Sequence, residues 1–385
     1  MKVAFDARWI YDKPSGIGVY AQEMVRRLPG LLPECEFVII FGSQKLLERH
    51  MTGASESERN VRAIVANIHP VSLKSQMSMP KVISELKADL YHSPNYMVPY
   101  MSLPLTRKTR RMKSIVNIHD VIPLVVKDYA PNSKTSRFKR VFKFCLRQSI
   151  ARADVVITGS EASKRDIEKT LSVSQRTLAK VQVIPDGADV ELCGVERAPI
   201  KTDSITPRTL LYVGRMDPYK NVAGLVEAFA IARHKVPFPL KLVVCGALDE
   251  RYPEARVAAE RLGVSDAVEF TGFVPDVELE RLYSTADLLT HPSRYEGFGL
   301  QIIEAMAHGL PVICTDGGSQ PEVAGEAARV VKAGDNREMA SAITEILTSP
   351  QRMERMKSDG LVRAKKFSWD ACALKTADVY RQVLI

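Results

Sequence analysis

What this 385-residue chain lacks narrows its chemistry before any motif is read. No apolar run approaches the ~18 residues that a membrane span requires. The opening MKVAFDARWIYD is charged and too poor in apolar residues for a secretory leader. The six cysteines (Cys35, Cys145, Cys193, Cys245, Cys314, Cys372) are scattered with no CxxC, which reads as reduced, mostly structural thiols of a cytoplasmic protein. There is no Walker A pattern, no complete GxGxxG after the first apolar run, no HExxH and no GxSxG elbow. No Asp-x-Asp pair stands ready to hold a metal between phosphates, so a bound diphosphate would be neutralised by protein cations and helix dipoles.

What is present is globular: 45% hydrophobic and 26% charged residues over a length that suits two domains. The charge is uneven. Residues 1–200 hold 31 Lys+Arg against 20 Asp+Glu, and residues 201–385 hold 23 against 25. Most of the excess lies in 106–147, with 12 basic and 2 acidic residues. Such a patch attracts an anionic partner or is a solvated surface. No nucleic-acid motif accompanies it, so nucleic acid is not the expected partner.

Short apolar runs alternate with helical periodicity. Strands are expected at Val3–Phe5, Phe37–Phe41, Asp89–His92, Ser114–His119 and Asp154–Thr158, then at Thr209–Gly214, Leu240–Gly246, Val268–Thr271, Asp287–His291, Pro311–Cys314 and Ala328–Val331. Near-continuous apolar strands with intervening helices predict α/β architecture, with parallel sheets covered on both faces. The series restarts after a polar, two-proline stretch, which predicts an N-terminal domain over 1–197, a linker over 198–208 and a second Rossmann-like domain over 209–366, the two facing a cleft. Ligands in such sheets bind beyond the carboxyl ends of the strands, and the candidate motifs fall there.

SRYEGFGLQIIEAMAHGLPVICT, residues 293–315, follows a strand. Gly297 and Gly299 leave backbone amides open at a helix start, which suits a phosphate or a polyhydroxylated ligand. Glu296 in the loop could read a sugar. Glu304 in the helix could accept both hydroxyls of a ribose. The plain alternative is an ordinary loop with a solvated Glu304. In YVGRMDPYKN, 212–221, Arg215 and Lys220 lie between a strand and a helix and can clamp a diphosphate, or are two surface cations. Gly16 and Gly18 form a lone GxG after the first strand, either a phosphate-approach loop or a flexible turn. His119 and Asp120 end the VNIHD run. The histidine can contact a substrate hydroxyl with the aspartate orienting its ring, or be structural. VIPDGAD, 183–189, is turn chemistry after a short strand.

Together, Glu296-x7-Glu304 with EGFGL inside it, EAMAHGLPVI after it and GRMDPYKN before it resemble the retaining glycosyltransferases of family 4, which have the GT-B fold. The likeness spans nearly the whole chain in motif order. It implies that Glu296 and the backbone of Gly297, Phe298, Gly299 and Leu300 face a donor sugar, that Glu304 binds the ribose, and that Arg215 and Lys220 hold the diphosphate. It also implies that Gly16 and Gly18 approach the donor phosphates and that His119 lies by the transferred sugar. Arg215, Lys220, Glu296 and His119 are then the catalytic set. The terminal FSWDACALKTADVYRQVL resembles the helix that crosses back to the N-terminal domain, anchored by Trp369.

LYHSPNYMVP, HDVIPL and the FDAR…SGIGVY opening look similar to GDP-mannose-dependent mannosyltransferases of bacterial O-antigen or exopolysaccharide synthesis. The expected donor is therefore GDP-mannose, used without metal, and the expected acceptor a saccharide or lipid-linked saccharide. A UDP-sugar donor is the alternative within the family; a non-catalytic sugar-nucleotide scaffold, a nucleotide-sugar epimerase and a phosphorylase are the alternatives outside it. Asp186 departs from the family's frequent Asn before the turn glycine. In KTSRFKRVFKFCLRQSI, 134–150, helical spacing puts Phe138, Val141, Phe142 and Cys145 on one stripe and Arg140, Lys143 and Arg147 on another, with Arg137 nearby. Such a helix could meet a lipid-linked acceptor or the inner face of an anionic membrane, or could pack its phenylalanines into the domain.

Overall fold

The computed structural model describes residues 1–12, 15–51, 60–105, 112–188 and 199–384. The chain forms two compact units. One gathers Met1–Val121, Phe138–Asp186 and Trp369–Ile385; the other gathers Ile122–Arg137 and Gly187–Ser368. Ile122–Arg137, which the sequence assigns to the N-terminal domain, goes with the second unit. There the Tyr129 ring stacks on Tyr219 at 4.9 Å, and the Asn132 amide donates to the Tyr252 hydroxyl at 3.2 Å. The described part of the expected linker is no free tether. Lys201 Nζ lies 2.8 Å from Asp287 Oδ2, and the Arg208 guanidinium donates to the carbonyls of Lys201 and Asp203.

Among the described residues the first unit holds seven strands: β1 (Lys2–Phe5), β2 (Glu36–Phe41), β3 (Val61–Val65), β4 (Leu90–Ser93), β5 (Lys113–Asn117), β6 (Val155–Thr158) and β7 (Val181–Val183). Their order is β3-β2-β1-β4-β5-β6-β7, with parallel pairing throughout. The second holds β8 (Arg208–Val213), β9 (Leu240–Cys245), β10 (Val268–Gly272), β11 (Leu288–His291), β12 (Val312–Thr315) and β13 (Arg329–Val331), in the order β10-β9-β8-β11-β12-β13, also parallel. Each is a doubly wound sheet. β3 escaped the sequence reading because it is a half-exposed edge strand that carries Arg62. β5 closes at Asn117, which leaves His119 in the following loop.

Side chains alternate across the second sheet as the pleat requires. Leu210, Tyr212, Leu242 and Val244 face the Val222–Arg233 and Asn336–Leu347 helices, while Leu211, Val243, Leu289 and Val312 face the Leu300–Ala307 helix. In the first unit the terminal helix Trp369–Leu384 packs on the Gly16–Leu31 helix. Trp369 is buried with its ring edge toward Tyr20, as its anchoring role anticipates. Farther along, Tyr380 meets the buried His92. Asn117 Oδ1 only accepts, so His92 Nε2 carries the hydrogen at 2.6 Å and Nδ1 accepts from the Tyr380 hydroxyl at 2.6 Å. Burial holds that imidazole neutral, lowering its pKa to about 4. Among the described residues no helix is long and apolar enough to cross a membrane. Five cysteines are free, and Cys193 lies outside the described residues.

Candidate active site

In the second unit the strand order reverses between β8 and β11. The chain leaves β8 for a helix on one face of the sheet and leaves β11 for a helix on the other. The loops therefore diverge and open a crevice at the strands' carboxyl ends. After β8 come Gly214, Arg215, the one-turn helix Pro218–Lys220 and Asn221. Gly214 and Gly246 are required by close approach: a Cβ on Gly246 would lie 1.9 Å from the Gly214 carbonyl oxygen. Asn221 takes a left-handed conformation (φ 56°), which asparagine tolerates well.

The loop after β11 carries Glu296 into this crevice. Its Oε1 is 2.6 Å from Lys220 Nζ and 3.1 Å from His291 Nε2. Glu296 is only 6% exposed. Burial alone would raise its pKa, but Lys220 and then His291 outweigh burial and hold the carboxyl far below the usual carboxylate range. Burial likewise opposes the charge on Lys220, and Glu296 more than restores it. The pair is thus charged at neutral pH. Arg215 remains 64% exposed on its side chain, with Asp217 Oδ2 at 2.7 Å from its guanidinium.

Glu296 is fixed mainly through its backbone. Its carbonyl accepts from the Ser319 amide at 3.0 Å and the Ser319 hydroxyl at 3.1 Å. The same hydroxyl contacts the Phe298 carbonyl at 2.8 Å, and Gln320 Nε2 donates to the Ser293 carbonyl at 2.9 Å. Gly317 and Gly318 allow this approach: Cβ atoms there would fall 2.1 Å from the Arg294 oxygen and 2.2 Å from the Glu296 oxygen. Phe298 points its ring into the core against Phe367, so only its backbone is offered to a ligand. Gly299 sits at φ 96° as the N-cap of the Leu300–Ala307 helix, and Leu300 packs partly on the core. Gly297 is buried beside them. Glu304, one turn into that helix, has its Oε2 held by the buried Tyr283 hydroxyl at 2.7 Å.

In the first unit, Gly16 and Gly18 are not in a loop. Ser15 caps the helix by accepting from the Gly18 amide at 3.1 Å, so both glycines lie in its first turn. One turn later Tyr20 presents its ring to His119 at 5.1 Å, edge-on. His119 Nε2 donates to the Pro94 carbonyl at 3.0 Å, and Ser163 Oγ donates to the His119 carbonyl at 3.0 Å. The Asp186 carboxylate lies 4.0 Å from His119 Nδ1. Burial raises the pKa of Asp186, and His119 partly offsets this.

The basic segment is not one helix. It breaks at Phe138 into Lys134–Arg137 and Lys139–Arg152. Arg137 belongs to the second unit, and Arg140, Lys143 and Arg147 to the first. Its apolar stripe also splits. Phe142 turns in against Tyr96, while Phe138 and Val141 point out.

The sequence reading missed His291, Tyr283 and the Gly317–Gln320 turn. A histidine ending an apolar strand five residues before Glu296 was the available signal for the first. The GGSQ after the next strand was the signal for the turn.

The family profile for Glycosyltransferase Family 4 matches residues 14–192, and that for Glycosyl transferases group 1 matches 197–362. O-antigen chain mannosyltransferase B of Escherichia coli is 26% identical over 99% of this chain and 100% of its own length. Sucrose-phosphate synthase from Thermosynechococcus elongatus superposes with a TM-score of 0.77 at 21% identity, covering 99% of this chain and 98% of that one. Anabaena HepE, solved with UDP-glucose, superposes at 0.73 with 18% identity over 99% and 100% of the two chains. The two doubly wound units share the GT-B fold of these structures. With its motifs in family order, this chain belongs to glycosyltransferase family 4.

Proposed function

We propose that the protein transfers mannose from GDP-mannose to a saccharide or lipid-linked saccharide, with retention at the anomeric carbon, in the assembly of a bacterial surface polysaccharide. The observation that supports it most is the buried Lys220–Glu296–His291 cluster at the β8/β11 crevice, in a chain matched end to end by an O-antigen mannosyltransferase. The second unit takes the donor. Glu304, oriented by Tyr283, accepts hydrogen bonds from the ribose hydroxyls. Arg215 and Lys220 neutralise the diphosphate, helped by the N-terminus of the Leu300–Ala307 helix, so no metal is needed. Glu296, held ionised, accepts from sugar hydroxyls and favours the positive charge that grows at the anomeric carbon.

In the reaction the bond from the anomeric carbon to the leaving phosphate oxygen breaks, and the acceptor hydroxyl attacks from the same face. That oxygen takes the acceptor's proton, so no covalent enzyme intermediate forms. His119 contacts the transferred sugar.

A UDP-sugar donor is the second reading, favoured by the likeness to HepE, which binds UDP-glucose. The test is a thermal-shift screen with GDP, UDP, ADP, GDP-mannose and UDP-glucose, run once with EDTA and once with added magnesium. Stabilisation by guanine nucleotides alone supports mannose transfer. Stabilisation by uridine nucleotides alone replaces the donor, and dependence on a divalent ion overturns the metal-free diphosphate site.

A further inference from the structure

The Lys139–Arg152 helix leaves large apolar side chains in solvent. Phe138 at its start is 61% exposed, and Val141 and Phe144 are each 57% exposed. Isolated exposed apolar residues are ordinary, but three within seven residues are not. At 100° per residue, Val141 and Phe144 share the outward face with Arg140, Lys143 borders it, and Arg147 lies at its edge with Nε donating to the Leu171 carbonyl at 3.0 Å. The inward face is Leu146, Ser149 and Ile150. From Phe138 through Arg152 there is no acidic residue.

The neighbouring elements continue this character. The segment 96–102 lies between this helix and the Leu73–Leu86 helix. Tyr96 meets Phe142 on one side, and the Gln76 side chain bonds the backbone of Val98 and Tyr100 on the other. In those elements Met101 is 77% exposed, and Leu73 and Met77, one turn apart, are 85% and 78% exposed. The first unit therefore has three adjacent elements with bare apolar side chains, one of them studded with cations.

We infer that this face of the first unit docks on an anionic phospholipid bilayer, with Val141, Phe144 and Met101 entering the headgroup boundary and Arg140 and Arg147 contacting lipid phosphates. Apolar side chains interleaved with arginines, without carboxylates, match that interface: the apolar groups gain from leaving water and the cations from the surface potential. A second protein copy would have to bring a face with the opposite charge. The inference does not depend on the identity of the donor.

The test is flotation of the full chain with vesicles of phosphatidylcholine alone and of an equimolar phosphatidylcholine–phosphatidylglycerol mixture. Binding is expected to the mixture only and to weaken as salt rises. Arg140→Ala with Arg147→Ala should reduce it at least tenfold, at roughly fivefold per cation. Val141→Ser with Phe144→Ser should abolish it while circular-dichroism melts stay unchanged, because both side chains are exposed. In Phe144→Trp the added emission should shift to the blue on mixed vesicles. Equal binding to both vesicle types, binding that survives both double variants, or concentration-dependent self-association that the serine variant removes would each overturn the inference.

Discussion

Replacing Lys220 by methionine keeps the stem volume and deletes the charge that Glu296 faces at 2.6 Å. Both side chains are nearly out of water, at 12% and 8% exposure, so solvent screening cannot absorb the loss. Removing one partner of a buried pair costs about 3–5 kcal/mol. His291 still donates to Glu296, so the lower end, about 3 kcal/mol at neutral pH, is expected. At about 2–4 °C per kcal/mol, the transition of the second unit should drop by about 6–12 °C. The pH dependence has a definite sign. In the parent protein the folded pKa of Glu296 is depressed, so its contribution is present above the unfolded value near ~4.3 and lost as pH falls through the folded value. Without Lys220 the carboxylate is buried with less compensation, and the penalty should shrink as pH falls toward ~4, where protonation relieves it. The double variant Lys220→Met with Glu296→Gln should recover most of the loss. Urea melts of the four proteins at neutral and acid pH measure this cycle. A single-variant cost below about 1 kcal/mol, or a double variant no better than the sum of the singles, would refute the coupling.

Glu304→Gln should weaken nucleotide binding by roughly ten- to a hundredfold through loss of charged hydrogen bonds, read by calorimetry. The loss should be smaller for a 2′-deoxynucleotide, and an equal loss for both would contradict the ribose role. Gly318→Ala should destabilise the second unit by more than about 2 kcal/mol, because its Cβ meets the Glu296 carbonyl at φ +69°. Gly334→Ala, at φ +83° in open space, should cost only about 1 kcal/mol; equal costs in chemical denaturation would refute the close-approach argument. Asp186→Asn should stabilise the first unit at pH 7. Burial raises the folded pKa of Asp186, so the wild-type penalty appears as pH rises above the unfolded value, and the variant's advantage should vanish near pH ~4. Melting curves over that range check it.

The strands of both sheets were legible where they are buried on two faces, because periodicity and apolar runs report burial. β3 was not, because an edge strand with Arg62 looks like a loop. Glu296, Glu304, Arg215 and Lys220 were legible by their place after strands. That Lys220 and Glu296 pair directly was not, since their contact spans 76 positions and depends on the sheet order. The approach of Asp186 to His119 was not legible for the same reason: the fold brings it from beyond β7. The break at Phe138 carries no proline or glycine to announce it.

The Trp369–Leu384 helix belongs to the unit whose first strand begins at Lys2. Its Tyr380 completes the hydrogen bonding of His92, and its Trp369 covers Tyr20. During synthesis, then, the core of the first unit is closed only by a segment that follows the whole second unit in sequence. At ~5–20 residues per second the first unit waits roughly 10–40 s for its final helix while the second is being completed. The uncovered side of the first unit must be shielded for that interval, so chaperone demand should fall on the first unit more than on the second.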